Sequence, residues 1–161
     1  LFDAVAALIG LRNTVSYEAQ AAIALEMAAY GSADEGVYPF DLVKEGAVWK
    51  IGTHSLFDWL IADLRKRVGI ADMSRRFHNG LALVLGDVAA RIRDEHNLNR
   101  VCLSGGCFQN VLLSDLISLA LQEKNFEVYV QREVPAGDGG ISLGQALVAA
   151  YRTQAHTRQV S

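Results

Sequence analysis

The sequence predicts an α/β fold: a helix-rich N-terminal half carrying one hairpin, then a strand–helix–strand–helix unit. Three observations carry this. From residue 100 onward two short apolar runs, RVCLSG and FEVYVQ, alternate with segments whose apolar residues recur at helical spacing. Such alternation calls for a parallel strand pair joined by a right-handed crossover. Each apolar run is followed by a glycine-rich stretch, LSGGCFQN at 103–110 and PAGDGGISLGQ at 135–145, where a strand would hand over to a helix. Before residue 100 helical periodicity dominates, and only residues 37–52 alternate as strands do.

The elements follow in order. Apolar residues at 1, 2, 5, 8 and 9 predict a helix over 2–9, closed by Gly10. Leu1 is not methionine and no capping residue precedes it, so the sequence reads as a piece of a longer chain cut at or just before a helix. Ser16 is the expected cap of a second, alanine-rich helix that runs to about Tyr30 and ends at Gly31. Residues 37–43 and 47–52 flank KEG as a hairpin, with Pro39 favouring an edge strand. Ser55 then caps a helix with apolar residues at 56, 57, 60, 61 and 64. A long helix from Ile70 or Asp72 to about Glu95 shows the stripe Phe77, Leu81, Val84, Leu85, Val88 and Ile92. After the first apolar strand, CFQNVLLSDLISLALQEKN is a helix with Leu112, Leu113, Leu116, Ile117 and Leu121 on one side. The second strand follows, and GDGG opens the last helix. Trp49, Phe57 and Trp59 are expected to pack. The chain thus reads as a single segment, 1–161, with a helical part over 1–99, an α/β part over 100–152 and a frayed tail over 153–161.

Composition narrows the function. The 161 residues suit about one domain, and 51% are hydrophobic, enough for a packed core. A net charge of −3 with interspersed signs argues against a dedicated nucleic-acid binder. No run of 18 apolar residues suggests a membrane span, and no signal peptide is visible. Cys102 and Cys107 are not a CxxC pair and read as reduced thiols, so a cytoplasmic protein is expected.

The glycine stretches fall at the carboxyl ends of the two strands, where ligands gather in parallel α/β units. Glycine lets a ligand approach the backbone and permits positive φ. A following helix aims amides and partial positive charge at the same place. A phosphate or a nucleotide edge suits Gly105 and Gly106, with Ser104 and Asn110 adding hydroxyl and amide hydrogen bonds. A tight turn with no ligand explains the same glycines, and neither the P-loop nor the GxGxxG pattern is matched. Asp138, set among glycines, is either a helix cap or an exposed ligand for Mg²⁺, Mn²⁺ or, in a mixed His/Asp site, iron or zinc. Asp3 reads as an exposed helical aspartate or a site residue. Glu18 and Glu26 read as solvated or capping carboxylates, and His78 as a hydrogen-bonded structural or a ligand-facing histidine. His54 and His156 read as surface residues. Cys107 stands at the expected helix start, where its pKa would fall, but no nucleophile has a base beside it.

Taken together, LFDAVAALIGL, VSYEAQAAIALE, RFHNGLA, LSGGCFQN and VPAGDGGISLGQALVAA resemble the C-terminal carbamoyltransferase part of the HypF family of [NiFe]-hydrogenase maturation, in order and over nearly the whole chain. The resemblance implies a partial actin-like ATPase fold (ASKHA, ribonuclease H-like) with nucleotide in a cleft. It implies carbamoyl phosphate and ATP as substrates, a carbamoyl-adenylate, and transfer to the C-terminal cysteine of the partner HypE. By position, Asp3 is implied near the nucleotide sugar, Gly105, Gly106 and Asn110 in the nucleotide turn, and Asp138 as a metal ligand alongside an HxxxH pair. That pair is missing: none of His54, His78, His96 and His156 has a histidine four residues away. Ala19 stands where the family usually has glycine. The segment is therefore expected to be inactive alone. Another O-carbamoyltransferase, the tRNA threonylcarbamoyladenosine synthase relative and a non-catalytic partner-binding module are the alternatives.

Overall fold

A computed structural model of the chain describes residues 1–159, with side-chain surroundings given through Thr153. Among these residues six α-helices and four strands appear in the order α1 (Phe2–Leu8), α2 (Gln20–Ala29), β1 (Asp41–Glu45), β2 (Val48–Gly52), α3 (His54–Arg65), α4 (Ile70–His96), β3 (Arg100–Leu103), α5 (Val111–Glu123), β4 (Glu127–Val130) and α6 (Ile141–Gln159). β1 and β2 form an antiparallel hairpin, and β3 pairs in parallel with β4 from Arg100 opposite Glu127 to Leu103 opposite Val130. The α/β class with a helical first half, and the strand–helix–strand–helix second half, are as expected.

The core lies between α4 and the elements around it. Phe77, Leu25, Leu56 and Leu60 are fully buried, and Leu113, Ile117 and Leu121 of α5 join them at 2% exposure each. Burying a side chain of this size contributes roughly 1.5–3 kcal/mol. The first part of the α4 stripe does what its spacing implies, with Phe77, Leu81 and Val84 buried and Leu85 and Val88 half-buried, but Ile92, near the helix end, is exposed. α4 ends on Asn97 in the left-handed conformation (φ 56), which asparagine tolerates.

Several boundaries differ from the sequence reading, each for a local reason. α2 starts at Gln20, not at Ser16, because Ala19 takes a left-handed conformation (φ 62). Ser16 does not cap it; the Gln20 side chain instead accepts the Ser16 amide at 2.9 Å. β1 starts at Asp41, beyond Pro39, and closes on β2 through Gly46 at φ 60. Ser55 is not the cap of α3. Its amide and hydroxyl both donate to the Asp41 carboxylate, so a strand residue holds that helix end. These bonds hold the Asp41 carboxyl below its ordinary pKa. Trp59 is exposed rather than packed, Phe57 is half-buried against the core, and Trp49 is half-buried with the Lys44 and Arg91 cations over its ring. His54 is a surface residue beside Asp58. α6 continues through Gln159, past the expected start of a tail; Val160, Ser161 and the His156 side chain lie outside what is described. Residues 141–153 of α6 are all exposed.

Candidate functional site

The two glycine stretches meet. The Gly105 amide donates to the Ala136 carbonyl at 2.7 Å, and the Ser104 hydroxyl approaches the same oxygen at 3.4 Å. Gly105 adopts φ 112, ψ 163, a region open essentially to glycine alone. A Cβ on Gly137 would fall 2.8 Å from the Gln109 side-chain nitrogen and 3.9 Å from Gly106 Cα. The tight contact is the far end of a flexible side chain, which can move, and Gly106 Cα lies at ordinary contact distance. The approach of the two turns is thus close without demanding glycine at 137, and a Cβ on Gly106 would meet nothing within 4 Å.

Beside this seam lies an open cleft of about 780 Å³. One wall is Gly106, Cys107, Gln109 and Asn110 with Gly137, Asp138 and Gly139. The other is α2 and its approach, Glu18, Ala19, Ala22, Ile23 and Glu26, and Phe2 of α1 closes one part. Of the site residues expected from sequence, Gly106, Asn110 and Asp138 line the cleft together. Ser104 and Gly105 are not in its lining and brace the seam. Asp3 is exposed on α1, next to the lining residue Phe2 but not itself in the lining.

The start of α5 corrects one physical expectation. The first turn after β3 is a 3-10 turn, Gly106–Gln109, and the α-helix begins only at Val111, so Cys107 is not at an α-helix start. The amides there are not free. Glu26 of α2 accepts those of Val111 at 2.7 Å and Leu112 at 3.2 Å, and Asn110 Oδ1 accepts that of Leu113 at 2.8 Å. Glu26 is thus a capping carboxylate, but for a helix 85 residues away in sequence. A phosphate reaching these amides would have to displace it. Asn110 is a helix cap as well as a cleft residue.

Asn110 is also tied to the core. His78, fully buried, lies with Nε2 3.0 Å from Asn110 Nδ2 and Nδ1 2.8 Å from the Ser74 carbonyl. Phe2 and Phe77 stand edge-on to its ring at 5.8 and 5.4 Å. Ser74, also fully buried, gives its hydroxyl to the Leu25 carbonyl, so the chain of contacts runs from α2 through α4 to the cleft.

Asp138 is exposed in the short 3-10 turn Asp138–Gly140, before α6, and caps nothing with its side chain. Among the described residues no three His, Cys, Asp or Glu side chains gather as a metal site would require. One carboxylate does not hold a divalent cation, so the residues of this segment do not by themselves fit a metal centre.

Ala19 merits a direct test. A non-glycine residue in the left-handed region costs roughly 1–2 kcal/mol, partly offset when glycine adds freedom to the unfolded chain. Ala19→Gly is therefore expected to stabilise the protein by about 0.5–1 kcal/mol, read as a higher urea midpoint. The position also lines the cleft, so removal of the methyl widens it.

Comparison with known proteins follows the same lines. The family model described as "Carbamoyltransferase, Kae1-like Domain, second subdomain" matches residues 1–145. The chain is 39% identical over 158 residues to carbamoyltransferase HypF of Rhodobacter capsulatus, covering 97% of this chain and 20% of that protein. It is 34% identical over 147 residues to carbamoyltransferase HypF of Synechocystis sp., covering 91% and 18%. A crystal structure of full-length HypF in the phosphate- and nucleotide-bound form superposes with a TM-score of 0.86 at 40% identity, covering 92% of this chain and 19% of that one. HypF of T. kodakarensis gives a TM-score of 0.79 at 27% identity, covering 96% and 20%. The chain thus spans about a fifth of the length of these relatives.

Proposed function

The chain belongs to the HypF carbamoyltransferase family, and from that premise we propose that its cleft binds the adenine nucleotide of a carbamoyl-transfer reaction. In this reading carbamoyl phosphate is hydrolysed to carbamate and phosphate. A carbamate oxygen then attacks the α-phosphorus of ATP, forming the O–P bond of carbamoyl-adenylate as the bond to the departing pyrophosphate breaks. The thiolate of the HypE C-terminal cysteine then attacks the carbamoyl carbon, the C–S bond forms, and the carbon–oxygen bond to AMP breaks. The thiol proton leaves to solvent and AMP is the leaving group.

The observation that carries the reading is the seam: two glycine turns, held together by the Gly105–Ala136 hydrogen bond, open onto a cleft large enough for a nucleotide. Gly106 lets the ligand meet the backbone, and Asn110 offers an amide hydrogen bond. Ser104 and Gly105 brace the wall at the seam, and Asp3, exposed on α1, is assigned to the nucleotide sugar. Asp138 supplies one oxygen ligand to a divalent cation whose other ligands come from outside this segment. The protein's own contribution is placement and charge stabilisation around the activated carbonyl, with the nucleophile brought by the partner.

Calorimetric titration of the full-length protein with ATP and Mg²⁺ tests this. Asp138→Ala is expected to weaken ATP binding by about tenfold, the loss of one charge-assisted contact. Unchanged affinity would remove Asp138 from the site. A carbamoylation assay on a HypE C-terminal peptide, run beside a tRNA-modification assay, separates this reading from the tRNA-modifying alternative.

A further inference from the structure

We propose that His78 is a positioning residue for the cleft: its Nε2 accepts one N–H of the Asn110 amide and leaves the other as the donor offered to the nucleotide. The inference rests on the nucleotide reading above and deepens it.

The hydrogen-bond inventory permits only one arrangement. Nδ1 of His78 faces a backbone carbonyl, Ser74 O at 2.8 Å, which can only accept, so Nδ1 carries the proton. In a neutral ring Nε2 is then an acceptor, and the Asn110 atom 3.0 Å away must be the NH₂ group. The opposite end of the same amide is fixed independently: Oδ1 accepts the Leu113 amide at 2.8 Å. Two contacts on opposite ends thus select one flip of Asn110, and its second N–H remains for the cleft that Asn110 lines. The subsite is therefore a donor, suited to an oxygen or ring-nitrogen acceptor.

Burial favours the neutral ring and lowers the His78 pKa from its ordinary value of 6.5. Of the charged groups facing it, Glu26 on α2 favours the imidazolium and Arg75 on its own helix opposes it. Phe2 of α1 and Asn110 before α5 bring no charge. Protonation would set N–H against N–H and force Asn110 either to lose this partner or to flip, which breaks the cap on Leu113.

The test is a double-mutant cycle in the full-length protein, with ATP affinity as the readout. His78→Leu is expected to weaken ATP by about tenfold, and the double variant with Asn110→Ala to bind no more weakly than Asn110→Ala alone. Asn110→Ala with wild-type affinity would overturn the nucleotide reading and this proposal together. A weakened Asn110→Ala combined with a silent or fully additive His78→Leu would overturn this proposal alone. Should His78→Leu not fold, the wild type serves. Its advantage over Asn110→Ala is expected to hold at pH 7 and above and to shrink only as pH falls through the lowered His78 pKa, which lies below the ordinary 6.5, the ratio cancelling the ligand's own titration. A ratio constant over that range would overturn the proposal.

Discussion

Arg76→Met is expected to cost about 3–5 kcal/mol of folding stability, because it strands a buried carboxylate. Asp63 of α3 is 4% exposed, and Arg76 Nη1 reaches its Oδ2 at 2.7 Å. The same guanidinium grips Asp34 through two bonds, Nε to Oδ1 at 3.0 Å and Nη2 to Oδ2 at 2.6 Å. Without Arg76 only the Tyr38 hydroxyl, 2.8 Å from Asp63 Oδ2, would remain on the buried charge. Arg76→Met combined with Asp63→Leu should recover part of the loss, since the uncompensated charge goes with it. The Arg76 hydrogen bonds hold the Asp34 carboxyl below its ordinary value of 3.8. A depressed folded pKa gives stability that is present above the unfolded value and lost as pH falls through the folded one. The Asp34 contribution should therefore disappear on acidification below the ordinary carboxylate range, and Arg76→Met should flatten that part of the profile. Urea midpoints across pH for wild type and variant would show it.

Gly80→Ala is expected to be nearly as damaging, at about 3 kcal/mol. A Cβ there would lie 2.1 Å from the Tyr38 carbonyl oxygen and 3.1 Å from both Tyr38 C and N. Backbone on both sides leaves nothing flexible to yield. The segment through Tyr38 is pressed onto α4 here, with the Tyr38 amide donating to the Arg76 carbonyl at 3.2 Å and Asn79 Nδ2 to Gly36 O at 2.9 Å. Gly86 on the same helix provides the contrast. Its nearest contact is the Lys124 Cε at 3.3 Å, the far end of a flexible side chain. Gly86→Ala should be neutral or stabilise by up to about 1 kcal/mol through helix propensity. Equal melting behaviour of the two variants would refute the close-approach explanation.

What could be read in advance was local, and what could not was not. The stripe of α4 declares itself because Phe77, Leu81 and Val84 repeat at helical spacing, and the parallel pair follows from two short apolar runs separated by one helix. The glycine stretches announce their own place at strand ends. Asn110 before a helix is a legible cap, yet the 3-10 turn at 106–109 shifts that helix by four residues from the start expected at Cys107. Other features depend on partners far along the chain. Asp41 capping α3, Glu26 capping α5, and the Arg76 clamp on Asp34 are pairings that no window of sequence contains. The cleft itself shows the same division. Its glycine wall was readable from motif, whereas the α2 wall, with Ala22, Ile23 and Glu26, looks in sequence like any alanine-rich helix. The left-handed Ala19 had one signal, the glycine that the family resemblance led us to expect there.

The seam as a nucleotide site is the claim on which the functional reading depends, and Gly106→Leu addresses it most directly. A side chain at this position meets no protein atom within 4 Å of its Cβ and projects from the wall of the cleft. Gly106 lies outside the positive-φ region, so the backbone tolerates the change. The account predicts a melting temperature close to that of wild type and a loss of ATP affinity of tenfold or more by calorimetry, a loss of about 1.4 kcal/mol or greater. A folded Gly106→Leu protein that binds ATP as tightly as wild type would contradict it.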